Sequence, residues 1–373
     1  MLPFSSFSFL YVMLGAMGLV LVWKFLLHSV MAYKTMIFLL SVAFLVLYPS
    51  PAQLIGFAIY SYGVLYLSVV VLQSKRKLWM TLLAMLPMLM MKLEVNNHIF
   101  QFAGLSYITF RTVQTIVDTN HRKDLLGWMD FSSFVLFTPT LLIGPIDRSD
   151  RFLQNLNDPT SFNAQRFASG LDFLLKGAVY KFVLATVVND YWLEDIENTH
   201  FWGHVNYMYA YTVYLFFDFA GYSALAVGFG KCLGIEVPIN FDKPFLAQNP
   251  GDFWRRWHKS LGDWLKDYFF RPIYKELSSR KLGKSILARQ NIALFSTFFL
   301  MGCWNGFQLH YIASGALFGV YSVAHNTYVY DCKKNKRDLV FGTLNPTITK
   351  WISIVLMIQL ACFAIYIFSG KLF

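Results

Sequence analysis

The chain has 373 residues, of which 56% are apolar and only 14% are charged, and its formal net charge is +11. Soluble domains carry about 25% charged residues, so this composition excludes an ordinary soluble domain. Apolar runs at 9–27, 53–72 and 351–368 approach or reach the roughly 20 residues that cross a bilayer. The sequence therefore predicts an all-α polytopic membrane protein with about 9 to 12 membrane segments, several of them short or broken.

The chain contains no internal repeat and no long soluble linker, so a single membrane domain is predicted over residues 1–373. Residues 1–93 are almost continuously apolar and are interpreted as an N-terminal helical scaffold, while residues 345–373 hold a C-terminal transmembrane helix. The four cysteines lie far apart without metal-ligand spacing. They are interpreted as small buried hydrophobes, and no metal site is predicted.

Two polar features interrupt the middle of the chain. Residues 144–152, GPIDRSDRF, predict a tight turn beside the membrane, in which Asp147 and Arg148 form local salt bridges. Asp218 is a lone carboxylate inside an apolar helix predicted near 203–230. Ionisable residues inside a membrane are functional candidates by default. Asp218 is interpreted either as a structural partner for an arginine or as a catalytic or binding group.

Residues 237–277 are rich in aromatic, basic and acidic side chains, with three prolines in the first half. The stretch 253–270 has helical character but is too charged to cross lipid as an ordinary span, so an interfacial or re-entrant helix is predicted. His258 lies within it, flanked by tryptophans and basic residues. This pattern is typical of a functional site and equally of an interfacial aromatic belt.

The excess of positive charge is local. Residues 251–290 contain ten Lys or Arg against four Asp or Glu, a net charge of +6, and smaller basic groups occur at 75–77 and 333–337. The positive-inside rule places such loops in the cytoplasm, and an acidic partner or anionic lipid headgroups would also fit 251–290. No P-loop, HExxH or GxSxG motif occurs, and no basic stripe indicates nucleic-acid binding.

Four stretches in this order carry a family resemblance: GPIDRSDRF, FDFAGYS (217–223), FWRRWHKSL (253–261) and LMGCWNGFQLHYIASG (300–315). They resemble the membrane-bound O-acyltransferase (MBOAT) superfamily, and within it the D-alanyl transfer (DltB-type) branch of teichoic acid D-alanylation in Gram-positive bacteria. The resemblance implies a multi-pass protein of the bacterial plasma membrane. It also implies a ring of about 11 transmembrane helices with short interfacial or re-entrant helices around a central funnel, with residues 100–330 as the acyltransferase core.

The resemblance also implies a reaction and its partners. A carrier protein on the cytoplasmic side would deliver D-alanine on its phosphopantetheine arm, so that no cofactor is tightly bound by this chain. The acyl group would pass to an extracellular acceptor protein or lipoteichoic acid. Membrane lipid surrounds such a protein, and nucleic acid has no part in the reaction.

One position departs from the family pattern. The catalytic histidine of the family stands in a WHG motif 47 residues after the histidine of RWH, which is His258 here, and this chain has Asn305 at that place. Asparagine cannot accept a proton near neutral pH, and loss of a general base lowers a rate by roughly 10²- to 10⁴-fold. Phe318 stands where the family commonly has another histidine.

The predicted site residues fall into three groups. Asn305 and His258 hold the catalytic positions, with Asp218, Trp257 and Trp304 as substrate-binding residues. Carrier docking is assigned to Arg255, Arg256, Lys266 and Arg271. No other histidine is expected to replace the missing base. On a helix continuing from Asn305, His310 would face about 140° away and His325 would lie about 30 Å distant.

Three functions remain open from the sequence. The first is a D-alanyl O-acyltransferase that is weakened or inactivated at Asn305. The second is a non-catalytic relative that binds the carrier or an acceptor protein. The third is a transporter, although the hydropathy pattern contains no inverted repeat.

Overall fold

The computed structural model describes residues 7–26, 29–45, 51–72, 77–94, 104–122, 125–158, 163–196, 200–337 and 345–373. For 7–10, 24–26 and 120–122 it describes the backbone alone. The described residues form helices, turns and irregular segments, and no strand occurs among them. The predicted all-α class is confirmed. Residues 75, 76 and 95–100, which include part of one basic group and His98, lie outside the described residues.

The helices in chain order are α1 (Phe7–Leu26), α2 (Val30–Phe44), α3 (Pro51–Tyr66), α4 (Lys77–Lys92), α5 (Leu105–Arg122), α6 (Trp128–Val135), α7 (Ser149–Asn157), α8 (Ala164–Ala178), α9 (Ala185–Val188), α10 (Phe201–Cys232), α11 (Pro250–Trp254), α12 (Lys259–Leu265), α13 (Arg271–Ser279), α14 (Ile286–Asn305), α15 (Leu309–Lys334) and α16 (Pro346–Phe368). Segments of π-helix follow α3, α8, α9 and α12, at Leu67–Val71, Val179–Leu184, Asn189–Leu193 and Lys266–Phe270. Single 3-10 turns occur at Thr138–Thr140 and Pro244–Leu246.

Four helical stretches in the described residues are long and apolar enough to cross a membrane: Pro51–Val71, Phe201–Cys232, Ile286–Asn305 and Pro346–Phe368. Shorter apolar helices occur at Tyr11–Trp23 and Val30–Phe44. The predicted ring of about 11 transmembrane helices is therefore not confirmed. The physical reason is length: α4 has 16 residues and contains Pro87. At 1.5 Å per residue it spans about 24 Å, less than the roughly 30 Å hydrocarbon core.

The chain divides into two compact units. The first comprises residues 1–181 and 219–239, and the second comprises residues 182–218 and 240–373. Helix α10 contributes its first part to the second unit and its last part to the first. The single domain over residues 1–373 stays a prediction.

A fully buried arginine organises the first unit. The guanidinium of Arg111 donates hydrogen bonds to the backbone oxygens of Phe134 and Val135, each at 2.9 Å, and to that of Thr140 at 2.7 Å. Burial of a charged group is tolerated only where hydrogen bonds satisfy it. Arg111 therefore fixes the loop that follows α6.

The GPIDRSDRF stretch lies in the same unit. Buried Asp147 accepts a hydrogen bond from the backbone N–H of Arg148 at 2.6 Å and forms an ion pair with Arg151, one helical turn later. Burial raises the pKa of the Asp147 carboxyl, and the nearby arginines oppose that rise. A local salt bridge of Asp147 therefore exists, with Arg151 as the described cation.

A helical hairpin forms the frame of the second unit. Helix α14 ends at Asn305, residues 306–308 turn, and α15 begins at Leu309. A Cβ atom at Gly302 would lie 2.6 Å from the backbone oxygen of Tyr311, so the two helices pack as closely as their backbones allow. The continuous helix that was assumed in order to place His310 and His325 relative to Asn305 therefore does not occur. Gly306, which lies between two apolar runs, indicated this break between the helices in the sequence.

Long-range contacts show which helix ends lie together in this unit. Asn291 donates to Thr327 at 2.8 Å near the start of α14, and Ser314 donates to the backbone oxygen of Ala364 at 2.8 Å. The start of α14 thus lies beside the end of α15, with residues 275–289 and 333–337 at one end, here called the basic end. The start of α10, the turn 306–308 and residues 368–373 lie at the opposite end. By the positive-inside rule, the basic end is expected in the cytoplasm.

Candidate active site

The corner around His258 interrupts the predicted helix 253–270. Asn249 caps α11, because its side chain accepts a hydrogen bond from the backbone N–H of Asp252 at 2.9 Å, and Pro250 takes the first helical position. The helix ends at Trp254, and His258 adopts a left-handed backbone conformation with φ of 45°. Helix α12 then begins at Lys259. Such a conformation is uncommon for a residue other than glycine and has to be held by its surroundings.

Asn240 holds this corner in place. Its backbone oxygen accepts from the N–H of Lys259 at 2.9 Å, and its side-chain oxygen accepts from the N–H of Ser260 at 3.2 Å and from the Ser260 hydroxyl at 2.5 Å. Asn240 is 1% exposed, so these bonds are shielded from water. Two residues on, the N–H of Asp242 donates to the backbone oxygen of Arg256 at 2.9 Å. Sequence reasoning did not identify Asn240, because it lies 18 residues before His258.

His258 itself is buried, with 6% of its surface exposed. Burial lowers its pKa to about 3, because the charged imidazolium loses its hydration. The imidazole is therefore neutral throughout the physiological pH range. A neutral imidazole donates one hydrogen bond and accepts one, so His258 is suited to orient a neighbouring group.

An aromatic cluster packs around Trp257. Its ring centroid lies 5.2 Å from that of Phe241, 5.6 Å from that of Phe253 and 6.3 Å from that of Phe216. Trp257 is 6% exposed, so it contributes to the packing of the unit. Its predicted substrate-binding role stays a prediction. The neighbouring Phe241 lies one residue after Asn240, so the same extended segment both holds the corner and contacts its tryptophan.

Phe318 extends the cluster onto α15. Its ring is stacked on that of Phe253 and lies edge-on to that of Trp254, with centroids 4.9 Å apart in the second pair. Phe318 is 3% exposed. The residue that stands where the family commonly has histidine thus fills an apolar position behind the His258 corner.

Asn305 is the last residue of α14. Its side-chain N–H donates to the backbone oxygen of Met301 at 2.9 Å, one turn earlier, which satisfies a carbonyl at the helix end. Asn305 and the adjacent Trp304 are half-buried. Both lie next to the turn 306–308, where Gly306 packs against the ring of Tyr311. Their predicted roles in catalysis and substrate binding stay predictions.

His310 and His325, the two histidines of the α14–α15 hairpin, lie in different surroundings. The ring of His310 lies 4.0 Å from that of Tyr311 and also packs against Gly370. His325 lies 16 residues after the start of α15, about 24 Å along the helix from the turn that follows Asn305. His325 therefore belongs to the part of α15 nearer the basic end.

Asp218 is half-buried on α10. Tyr214 and Tyr211 precede it by four and seven residues and so lie on the same face of the helix. A carboxylate so deep in an apolar helix is expected to face the protein interior or a water-filled cavity and not lipid. Both interpretations of Asp218, as a structural partner for an arginine or as a catalytic or binding group, stay predictions.

The residues predicted to dock a carrier are paired with nearby acids. Arg255 and Arg256 both contact Asp252, at 3.3 Å and 3.0 Å. Lys266 pairs with Asp263 at 2.6 Å, and Arg271 pairs with Asp267 at 2.7 Å. Exposed cations on the following segment, Lys275, Lys281 and Lys284, form no ion pair within the described residues. The sequence indicated these lysines only through their place in residues 251–290, the segment with a net charge of +6.

Two further predictions concern cysteines and metals. Cys232, Cys303, Cys332 and Cys362 are free thiols, and all but Cys303 are buried, as expected for small hydrophobes. Within the described ranges, no group of three His, Cys, Asp or Glu side chains could hold a metal ion.

Comparison with known proteins decides the family. The model of the membrane-bound O-acyltransferase family matches residues 54–368. The chain belongs to this family. It is a membrane protein of the acyltransferase class, as the order of its motifs predicted, and it is 36% identical to the teichoic acid D-alanyltransferase of Bacillus subtilis over 74% of this chain and 71% of that protein.

Two other relatives show how the identity and the covered share vary within the family. The chain is 32% identical to the teichoic acid D-alanyltransferase of Streptococcus thermophilus, over 78% of this chain and 74% of that protein. It is 33% identical to a probable alginate O-acetylase of Pseudomonas aeruginosa, over 61% of this chain and 43% of that protein. The match to the D-alanyltransferases therefore covers more of both chains.

Proposed function

We propose that this chain is an O-acyltransferase of the bacterial cell membrane that moves D-alanine from a carrier protein in the cytoplasm to a hydroxyl acceptor outside. The acceptor is an extracellular acceptor protein or lipoteichoic acid. Relatives named teichoic acid D-alanyltransferases support this assignment. The structural observation that carries it is the His258 corner, which is intact in sequence, buried, and held by Asn240.

The proposed step requires little chemistry from the protein. The acceptor oxygen attacks the carbonyl carbon of the D-alanyl thioester, a C–O bond forms, the C–S bond breaks, and the departing thiolate takes up the hydroxyl proton to leave as the thiol. A thioester is already activated, so positioning of the two reactants supplies much of the rate. Neutral His258 positions one of them. The phosphopantetheine arm arrives on the carrier, and no cofactor is tightly bound.

Asn305 sets the expected rate. Its amide cannot take the hydroxyl proton, so the chain is expected to work about 10²- to 10⁴-fold more slowly than one with histidine there. The hydrogen bond from Asn305 to Met301 uses one of the two side-chain N–H groups to complete its own helix.

The basic end of the second unit is the proposed carrier surface. Lys275, Lys281 and Lys284 are exposed and follow the His258 corner in sequence. An acidic carrier would be attracted to them, because clustered charge of one sign raises the local concentration of an oppositely charged partner. The four cations named from the sequence contribute less, since each already has a carboxylate beside it.

The test is D-alanyl transfer from charged carrier protein in proteoliposomes, with the natural chain compared with Asn305→His. We expect the variant to gain about 10²- to 10⁴-fold in rate. Asn335→His, at an exposed asparagine of the basic end, is the matched control and should gain nothing. Equal activity of the natural chain and Asn305→His would contradict the assignment of Asn305 to the base position.

A second function is favoured by one observation. The engagement of Asn305 with Met301 suits a non-catalytic relative that binds the carrier or an acceptor protein without transfer. Carrier binding without transfer by either the natural chain or Asn305→His would establish this function and exclude the first.

A further inference from the structure

A pocket lies at the start of α10, at the end of the second unit opposite the basic end. Its volume is about 630 Å³, within the range of small-molecule binding sites. It is lined by aromatic and polar side chains of the segments 191–196 and 200–206, among them Tyr191, Trp192, Asp195, His200, Trp202 and Asn206. We call it the outer pocket. None of its residues belongs to the predicted site or to the His258 corner.

The length of α10 places the outer pocket at the level of lipid headgroups. The helix has 32 residues and is therefore about 48 Å long. The hydrocarbon core of a bilayer is about 30 Å thick, and the whole bilayer about 40–45 Å. Phe201 and Trp202 stand at the start of α10, as aromatic residues do where a span meets the membrane–water interface. The molecules that meet this pocket in a membrane are therefore headgroups.

The aromatic rings of the outer pocket are held in place and remain accessible. The indole N–H of Trp192 donates to the side-chain oxygen of Asn206 at 2.9 Å, which joins the segment before α10 to the second turn of that helix. Trp202 is 71% exposed and Tyr191 is 82% exposed. Their ring faces are therefore open to a ligand.

The charge around the outer pocket is negative, unlike that of the chain as a whole. Asp190, Glu194 and Asp195 lie in or beside it, and the sequence contains no Lys or Arg between residues 182 and 230. Asp190 and Glu194 accept hydrogen bonds from the side chain of Asn189. Asp195 is exposed and forms no ion pair within the part of the chain that the structure describes. Its carboxylate is therefore available to a cation.

An interfacial aromatic belt accounts for the rings of this pocket but not for its charge. Belt tryptophans and tyrosines anchor a span together with Lys and Arg. Here carboxylates take the place of those cations, beside aromatic residues that line one cavity. Aromatic faces next to a carboxylate bind an organic ammonium, because the negative ring faces and the carboxylate attract the same positive charge. A phosphate or another anion would be repelled.

We propose that the outer pocket binds the ammonium group of a lipid headgroup in the outer leaflet. The ammonium lies against the ring faces of Trp192 and Trp202, and the carboxylate of Asp195 is its counter-ion. The position of the pocket at headgroup level favours a lipid over a soluble amine. The inference goes beyond the proposed function, because neither the carrier nor the acceptor takes part in it.

The test measures lipid binding. The full chain in detergent is titrated with phosphatidylethanolamine, or with phosphatidylglycerol of the same acyl chains, which has no ammonium, and bound lipid is measured by native mass spectrometry. We expect Trp202→Leu to bind phosphatidylethanolamine about two- to five-fold more weakly, the loss of one exposed cation–π contact. Asp195→Asn should weaken this binding by up to about five-fold, the loss of one exposed ion pair. Neither substitution should weaken the binding of phosphatidylglycerol.

Two matched variants test whether the effect belongs to the outer pocket. Trp351→Leu removes an exposed tryptophan of α16, and Asp172→Asn removes an exposed carboxylate of α8. Both should bind phosphatidylethanolamine as the natural chain does. Because all four substituted side chains are exposed, none of these variants should change the melting temperature in detergent.

The inference is overturned if Trp202→Leu and Asp195→Asn leave the binding of phosphatidylethanolamine unchanged. It is also overturned if they weaken the binding of phosphatidylglycerol as much, as a plain aromatic belt would. Soluble ethanolamine, whose binding is followed by tryptophan fluorescence, separates the two sources of an ammonium. Dependence on Trp202 and Asp195 for ethanolamine but not for the lipid overturns the lipid source. D-alanyl transfer by Asn305→His, or its absence, changes none of these outcomes.

Discussion

Phe318 is stacked on Phe253, with ring centroids 5.9 Å apart and planes inclined by 11°. This pair joins α15 to the helix that leads to His258. It places an apolar ring where the family commonly has an imidazole. The departure at Phe318 is therefore accommodated by the packing of its neighbours Phe253 and Trp254, which face it from α11.

We predict that Phe318→His destabilises the protein without restoring transfer. The substitution removes aromatic contacts and buries imidazole nitrogens, a loss of about 2–4 kcal/mol. Thermal unfolding in detergent measures the change in stability. Phe373→His, at an exposed position after α16, is the control and should have little effect. An unchanged melting temperature for Phe318→His would contradict the packing role.

Asn240→Ala should weaken the His258 corner. The substitution removes the acceptor of two hydrogen bonds from Ser260 and leaves buried donors, which costs about 2–3 kcal/mol. In the Asn305→His background, transfer should fall along with stability. Asn345→Ala removes an exposed cap of α16 and should cost only about 1 kcal/mol. The role of Asn240 is excluded if the two substitutions have the same effect on transfer.

The pH dependence of stability follows from His258. The pKa of its imidazole is about 3 in the folded state and about 6.5 in an unfolded chain. Between these values the unfolded state binds more protons, so stability falls as the pH drops from about 6.5 towards 3. The slope contributed by this group approaches 1.4 kcal/mol per pH unit. Unfolding midpoints between pH 7 and pH 4.5 should show a steeper decline for the natural chain than for His258→Gln, and parallel curves would contradict the burial of a neutral imidazole.

Carrier binding should depend on the unpaired lysines more than on the paired ones. A cation that already contacts a carboxylate gains less from a new one, and exposed pairs are worth about 0–1 kcal/mol. We therefore expect Lys281→Ala to weaken carrier binding, measured at low salt, more than Lys266→Ala does, because Lys266 pairs with Asp263. The difference should shrink at high salt. A larger effect of Lys266→Ala would instead support carrier docking by the cations predicted from the sequence.

Features that depend on local sequence were predictable. Apolar composition and the order of the motifs indicated a helical membrane protein of the acyltransferase family, and counting 47 residues from His258 located Asn305.

Tertiary contacts decided the rest. Some features depend on contacts between residues that the sequence does not place together. They are the end of α14 before Gly306, the ion pairs of Arg271 and Lys266 with nearby carboxylates, and the hydrogen bonds between Asn240 and Ser260. Helix length and interruption, as at Pro87, decide whether an apolar run reaches across a bilayer, and hydropathy alone does not give them. Composition assigned this protein to the membrane because the transfer of a helix from water into lipid depends mainly on how apolar its side chains are. The surroundings of His258 and Asn305 needed the fold, because the groups that surround them come from distant parts of the chain.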